Sequence, residues 1–269
     1  MRFRSVCLPV FVLALNVWAQ EPNVQDIIQK SVQANQANFK AAPDYNYKER
    51  DRDHKGSKTY QVTMIEGTPY YRLIALNDKP LSPAQNAEEE KKQGQAISKR
   101  RAESADDRQK RIGKYEKERK RNNLMMDQLT KAFNFTLGGE HKVKGFNVWV
   151  FKAVPRTDYK PPNLETQVLP GMQGQLWIDQ HSYNWVRVMA QVIRPVSIEG
   201  FLAQVEPGTQ FELENAPVGD GIWQAVHFSM RSQAKVLYMI NRASQDDETY
   251  FDYQKIGNSP QSATQSSGH

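Results

Sequence analysis

Two kinds of hydrophobic patterning divide the chain. Val24, Ile27, Ile28, Ser31 and Val32 recur at helical spacing and predict one amphipathic helix over 24–39. Tyr45 and Tyr47 then alternate with polar neighbours, which predicts a strand over 45–53. Two more strands, 58–65 and 70–77, flank the turn Glu66-Gly67-Thr68-Pro69. Beyond residue 135 the period-2 pattern returns, over 146–154, 174–179 and 185–195, the last two joined by a turn at 180–184. Segments 198–205 and 210–215 are expected to pair around Glu206-Pro207-Gly208-Thr209. A long strand over 223–241 and a last one over 248–254 complete the series. Val226, Phe228 and Met230 share a face opposite His227, Ser229 and Arg231. Val186, Val188, Ala190 and Val192 likewise oppose Arg187 and Gln191. This is the pattern of a sheet with one face buried and one wetted. Over 236–240 both faces turn apolar, which predicts cover on each side. Strands joined by short turns predict an antiparallel meander able to curl into an open or closed barrel.

A different pattern interrupts this series. Ser82-Pro83-Ala84-Gln85 combines an N-cap serine, a proline at the first helical position and a glutamine three residues on. Ser104-Ala105-Asp106-Asp107 offers a second start, with acids in the first turn. Two helices, 83–102 and 105–133, are expected, with acid-before-base pairs such as Asp106–Lys110 and Glu116–Lys120 on exposed faces. Leu124, Met125, Leu129, Ala132 and Phe133 could dock the second helix. Residues 83–133 therefore read as a charged helical insertion projecting from a β scaffold. Residues 156–173 read as a proline-rich loop, and the polar residues 258–269 as a disordered tail.

The opening residues belong to neither pattern. Arg2 and Arg4 precede an apolar run over 6–17, and Val17-Trp18-Ala19 fits a cleavage site before Gln20. That run, broken by Pro9 and Asn16, falls short of the roughly 20 apolar residues that span a bilayer. A leader over 1–19, cleaved after Ala19, is expected, and with it export to the periplasm. Cys7, the single cysteine, starts the apolar run and so cannot be a lipidated N-terminus. Loss of the leader leaves no cysteine, which excludes disulfides, thiol catalysis and zinc–thiolate sites.

Charge refines the picture at one place. The chain carries 36 basic and 30 acidic residues, a net +6. Residues 88–121 alone hold 13 basic and 8 acidic residues, so the basic character belongs to the insertion. Lys99-Arg100-Arg101 and Arg119-Lys120-Arg121 could attract anionic headgroups or an acidic envelope protein. Export argues against nucleic acid, and the missing apolar stripe before Leu124 argues for a solvated helical hairpin over membrane insertion. Catalytic chemistry is not legible. His54, His141, His181, His227 and His269 lie at least 40 positions apart, and no G-x-S-x-G elbow or phosphate-cradling loop occurs. No catalytic residue, metal site or cofactor is expected.

Gly174-Gln175-Leu176-Trp177-Ile178-Asp179, the turn at 180–184 and Trp185-Val186-Arg187-Val188 resemble a strand–turn–strand of the periplasmic lipoprotein-carrier superfamily, the LolA/LolB-like fold. The segment from Trp223 to Met230 is similar to the strand that follows a G-x-W turn in that superfamily. The long charged insertion departs from it. The resemblance implies an α+β fold: a curved antiparallel sheet forming a half-open β-barrel, with helices covering its mouth, as one domain over 20–257. It also implies a monomeric, non-enzymatic carrier for lipid or lipoprotein acyl chains. Val186, Val188, Phe228 and Met230 are the expected ligand-lining side chains. The alternative is a sensor or interaction module of the envelope acting through the basic helices.

Overall fold

The structure, a computed structural model, describes residues 23–198, 203–236 and 240–257. The expected leader and the expected disordered tail lie outside these residues. Among the described residues three α-helices and thirteen strands follow in the order α1 (Val24–Ala41), β1 (Tyr45–Asp53), β2 (Gly56–Ile65), β3 (Thr68–Leu76), β4 (Lys79–Pro80), α2 (Pro83–Arg101) and α3 (Ala105–Ala132). After α3 come β5 (Phe133–Val143), β6 (Phe146–Pro155), β7 (Met172–Asp179), β8 (Trp185–Val192), β9 (Val196–Ile198), β10 (Ala203–Val205), β11 (Gln210–Gly219), β12 (Ile222–Val236) and β13 (Ile240–Lys255).

The strands form one antiparallel sheet in the order β4-β3-β2-β1-β13-β12-β11-β8-β7-β6-β5, with β9 and β10 as a side branch on β12. The sheet does not close, because β4 and β5 are its two edges. The expected α+β, open antiparallel architecture is therefore the one observed. One strand expectation is corrected. The segment expected to pair with 210–215 instead forms β9 and β10, which pair with each other, and β10 joins β12. Strand β11 pairs with β8 and β12. Of the apolar stretch 236–240, expected to be covered on both faces, 237–239 lie outside the described residues, and Val236 pairs with Ile240.

Helix α1 buries Ile27, Ile28, Ser31, Asn35 and Asn38 along one stripe. The apolar half of that stripe packs on Phe151, Leu176, Ile178 and Trp185 of β6, β7 and β8. Its polar half is satisfied by specific bonds. Trp185 Nε1 donates to Ser31 Oγ at 3.1 Å, and Asn38 Nδ2 donates to Asn184 Oδ1 at 2.6 Å. The amide of Trp223 donates to Asn38 Oδ1 at 3.0 Å. Each bond spans more than 140 residues of sequence, so α1 fixes the relative positions of β8 and β12. A second cluster lies on the other face: Val148, Val150 and Val186 surround Trp223, whose ring lies 4.8 Å from that of Phe146.

The helical insertion joins β4 to β5, the two opposite edges of the sheet. It does not form the expected solvated hairpin, because α2 packs on β3 and α3 on α1, β3 and β5. The serine caps form as expected: Ser82 closes a capping box with Gln85, and Ser104 Oγ accepts the Asp107 amide. Ile112 of α3 sits over the β2–β3 turn, where Gly67 has φ +84°, and Leu129 packs beside Phe135 of β5. From Ile112 to Leu129 the helix axis advances about 26 Å. The nine strand intervals from β3 to β5 would span about 43 Å if flat. The sheet must therefore bend toward α3, which crosses it as a chord.

Candidate functional site

Strand register places a continuous set of side chains on the face that α3 crosses. Val188 lies opposite Leu213, Leu213 opposite Phe228, and Phe228 opposite Glu248. One rung away Ala190, Phe211, Met230 and Asp246 form a parallel row. Leu213, Phe228 and Met230 are half-buried and belong to none of the packed core clusters. Helix α1 packs on β6, β7 and β8 and meets β12 at Trp223 and Gln224, while α2 rests on β3, so the apolar surface around Leu213, Phe228 and Met230 falls between them.

Farther along the same face the lining becomes aromatic and acidic. Tyr47 stacks on Tyr253 at 5.3 Å and meets Tyr250 edge-on at 6.0 Å. Tyr60 meets Tyr71 edge-on at 6.2 Å. Among these rings sit Glu49, opposite Tyr250, and Asp51, opposite Glu248. The Tyr250 hydroxyl donates to the Glu248 carboxylate. Burial, followed by the charges of Asp51 and Glu248, pushes the Glu49 carboxyl up to about 8. Burial also raises Tyr47, Tyr250 and Tyr253, so these phenols stay protonated at neutral pH. The face thus passes from apolar at β11–β12 to an acidic, hydrogen-bonding tyrosine field at β13–β1–β2.

The four side chains expected to line a ligand separate into two groups. Trp177 pairs with Arg187 and Ile178 with Trp185, which leaves Val186 as the extra residue of a β-bulge. Val186 consequently leaves the face of Val188 and is buried at 2% exposure beside Val148, Val150 and Trp223. It has no surface left to offer. Val188 packs against the core beneath α1. Phe228 and Met230 remain on the half-open face, and a second bulge takes Val226 off it, since Glu214 pairs with His227 and Asn215 with Ala225. The sequence reading missed Leu213, Tyr47 and Tyr250. Their signal was present in the alternation of β1, β11 and β13, but nothing in a sequence says that those strands are neighbours.

The six cations expected to meet an anionic partner also divide. The Arg100 guanidinium donates to the carbonyls of Ile65, Thr68 and Pro69, at 3.0, 2.8 and 3.1 Å. Arg119 donates to the Phe39 carbonyl and stacks on the Phe39 ring at 4.4 Å. These two arginines bind the helices to the body of the protein. Lys99, Arg101, Lys120 and Arg121 are exposed, and Arg101 lies 3.6 Å from Glu66.

Among the described residues no three His, Asp or Glu side chains are placed to hold a metal ion. His227 Nε2 lies 3.0 Å from Asp247, and Ser229 shares their face, but no hydrogen bond joins Ser229 to the histidine. No described helix is long and apolar enough to cross a membrane.

No family model matches the chain, and no curated protein is significantly similar to it. Solved structures with a similar course include a LolA superfamily protein from Nitrosomonas europaea, at 10% identity and TM-score 0.33, covering 88% of this chain and 94% of that one. An outer membrane lipoprotein-sorting protein domain from Vibrio parahaemolyticus is 12% identical with TM-score 0.31, over 87% and 95% of the two chains. A DUF1329 family protein from Desulfovibrio piger is 10% identical with TM-score 0.31, over 88% and 95%.

Proposed function

We propose that this chain is an exported, non-enzymatic carrier that holds a lipid or the acyl chain of a lipoprotein between α3 and the sheet. One observation carries the reading. Leu213, Phe228 and Met230 form a half-buried apolar strip on the very face that α3 crosses, and neither α1 nor α2 covers it. Protein interiors pack at near-crystalline density, so an apolar strip left beneath a crossing helix is a place for a guest. The tyrosine field beyond it would receive the polar end of an amphiphile, since Tyr joins an apolar ring to a hydroxyl. The expected leader supplies the periplasmic setting, and the superfamily pattern around Trp177 and Trp185 agrees with a carrier.

Titration with a fluorescent fatty acid tests this. The chain should bind it saturably, and Phe228→Asp should weaken binding by at least tenfold, because it places a charge among the methylenes of the guest. Retained folding of the variant is read from its circular dichroism. Absence of saturable binding by the wild-type chain, with no lipid extractable from the protein purified from the periplasm, refutes the carrier reading.

A further inference from the structure

The face of the sheet turned away from the helices carries its own hollow, of about 470 Å³, which the carrier reading leaves unused. Its floor is a cross-strand row of Ala153, Gly174, Ala190, Phe211 and Met230, whose side chains point to the other face. A side chain at Gly174 would meet the Met189 carbonyl at 2.5 Å, so glycine there lets β7 approach β8. Two further rows form the walls. One runs Lys152, Gln175, Met189, Glu212 and Ser229, and the other runs Gln173, Gln191, Gln210, Arg231 and Gln245. The register places each wall residue directly opposite the next, so in the second row hydrogen-bonding groups recur at about 4.8 Å, the strand spacing, while Met189 interrupts the first.

We infer that this glutamine-walled trough binds an acidic saccharide chain lying across the strands. Each glutamine amide offers two donors and one acceptor oxygen, the mixed complement that sugar hydroxyls need. The strand backbone beneath is already paired within the sheet, so the trough has side chains and no free main-chain edge to offer. That disfavours an extended peptide, which adds to sheets through an edge. Charge supplies the second criterion. Glu212 is already engaged by Arg187, and Asp247, which follows Ser229 in its row, by His227. Lys152 and Arg231 are exposed and form no ion pair among the described residues, so the trough presents net positive charge to a carboxylate-bearing ligand. Exposed Met189 and Val154 add apolar contacts for the faces of sugar rings.

Isothermal titration with a galacturonic acid hexamer, set against a glucose hexamer, tests the assignment on the full chain. The acidic hexamer should bind saturably, at least tenfold tighter than the neutral one, and more weakly as salt is raised. Arg231→Ala and the double variant Gln191→Ala/Gln210→Ala should each weaken it about tenfold, the loss expected for one or two hydrogen bonds. All substituted positions lie on strand surfaces, and unchanged circular dichroism and thermal midpoint show that the variants fold. Lack of saturable binding to the acidic hexamer, or equal affinity in wild type and both variants, overturns the proposal. Because Phe228 faces the other side of the sheet, Phe228→Asp should leave this binding intact, which separates failure of one site from failure of the other.

Discussion

Glu49 shows what one side chain's surroundings do to the whole chain's pH response. Its carboxyl is held protonated to about pH 8 by burial and by the neighbouring Asp51 and Glu248, whereas in the unfolded chain it ionises near 4.5. Between those values the folded state binds the extra proton, so stability falls as pH rises through the window. The thermal midpoint should therefore decline from pH 5 to pH 9, and Glu49→Gln should flatten that decline. An unchanged slope in the variant would place the proton elsewhere in the cluster. At this scale the sequence was only partly readable. Asn35 and Asn38 look like ordinary solvated helix positions, because a polar residue signals burial only when its partner is known, and Asn184 lies 146 positions away. Val186 misled for a related reason: strict alternation assumes an unbroken register, and a single inserted residue turns one side chain to the opposite face.

Elements were more legible than their associations. The helix over residues 24–39, both serine-capped starts and the β2–β3 and β7–β8 hairpins carry local signals, caps and turn residues, that act within four residues. Docking of α2 carries none. That helix has no buried residue, and a sequence reader correctly finds no apolar stripe on it. Polar contacts hold it: the Arg100 guanidinium is inserted among three carbonyls at the β2–β3 turn, and Asn86 accepts a bond from Arg72 of β3 at 3.0 Å. Arg100→Ala is expected to release the helix locally, with hydrogen exchange in α2 accelerating strongly. The cost should be about 2 kcal/mol, since hydrogen bonds to charged groups are worth about 1.5–3 kcal/mol. Protection in α1 and β7 should not change, because neither contacts Arg100. Uniform loss of protection throughout the chain would show instead that α2 is integral to the core.

At the scale of the whole molecule, the decisive feature is the pairing of β1 with β13, Tyr45 against Lys255 and Asp51 against Glu248. That pairing joins the β1–β4 ribbon to the rest of the sheet, and no periodicity could reveal it. A chain ending at residue 239 is expected to show no cooperative unfolding transition by calorimetry, although it keeps nearly all of the helix-forming sequence. The reason lies in timing. Contacts between residues about 200 positions apart carry a large loop-closure cost and form late. A ribosome delivers β1 long before β13 exists, so the growing polypeptide lacks the strand that would lock its first third in place. Until β13 has been made, β1 is an unpaired strand edge, the kind of surface that invites pairing with another chain, so the interval between the two strands is when this polypeptide is most open to aggregation.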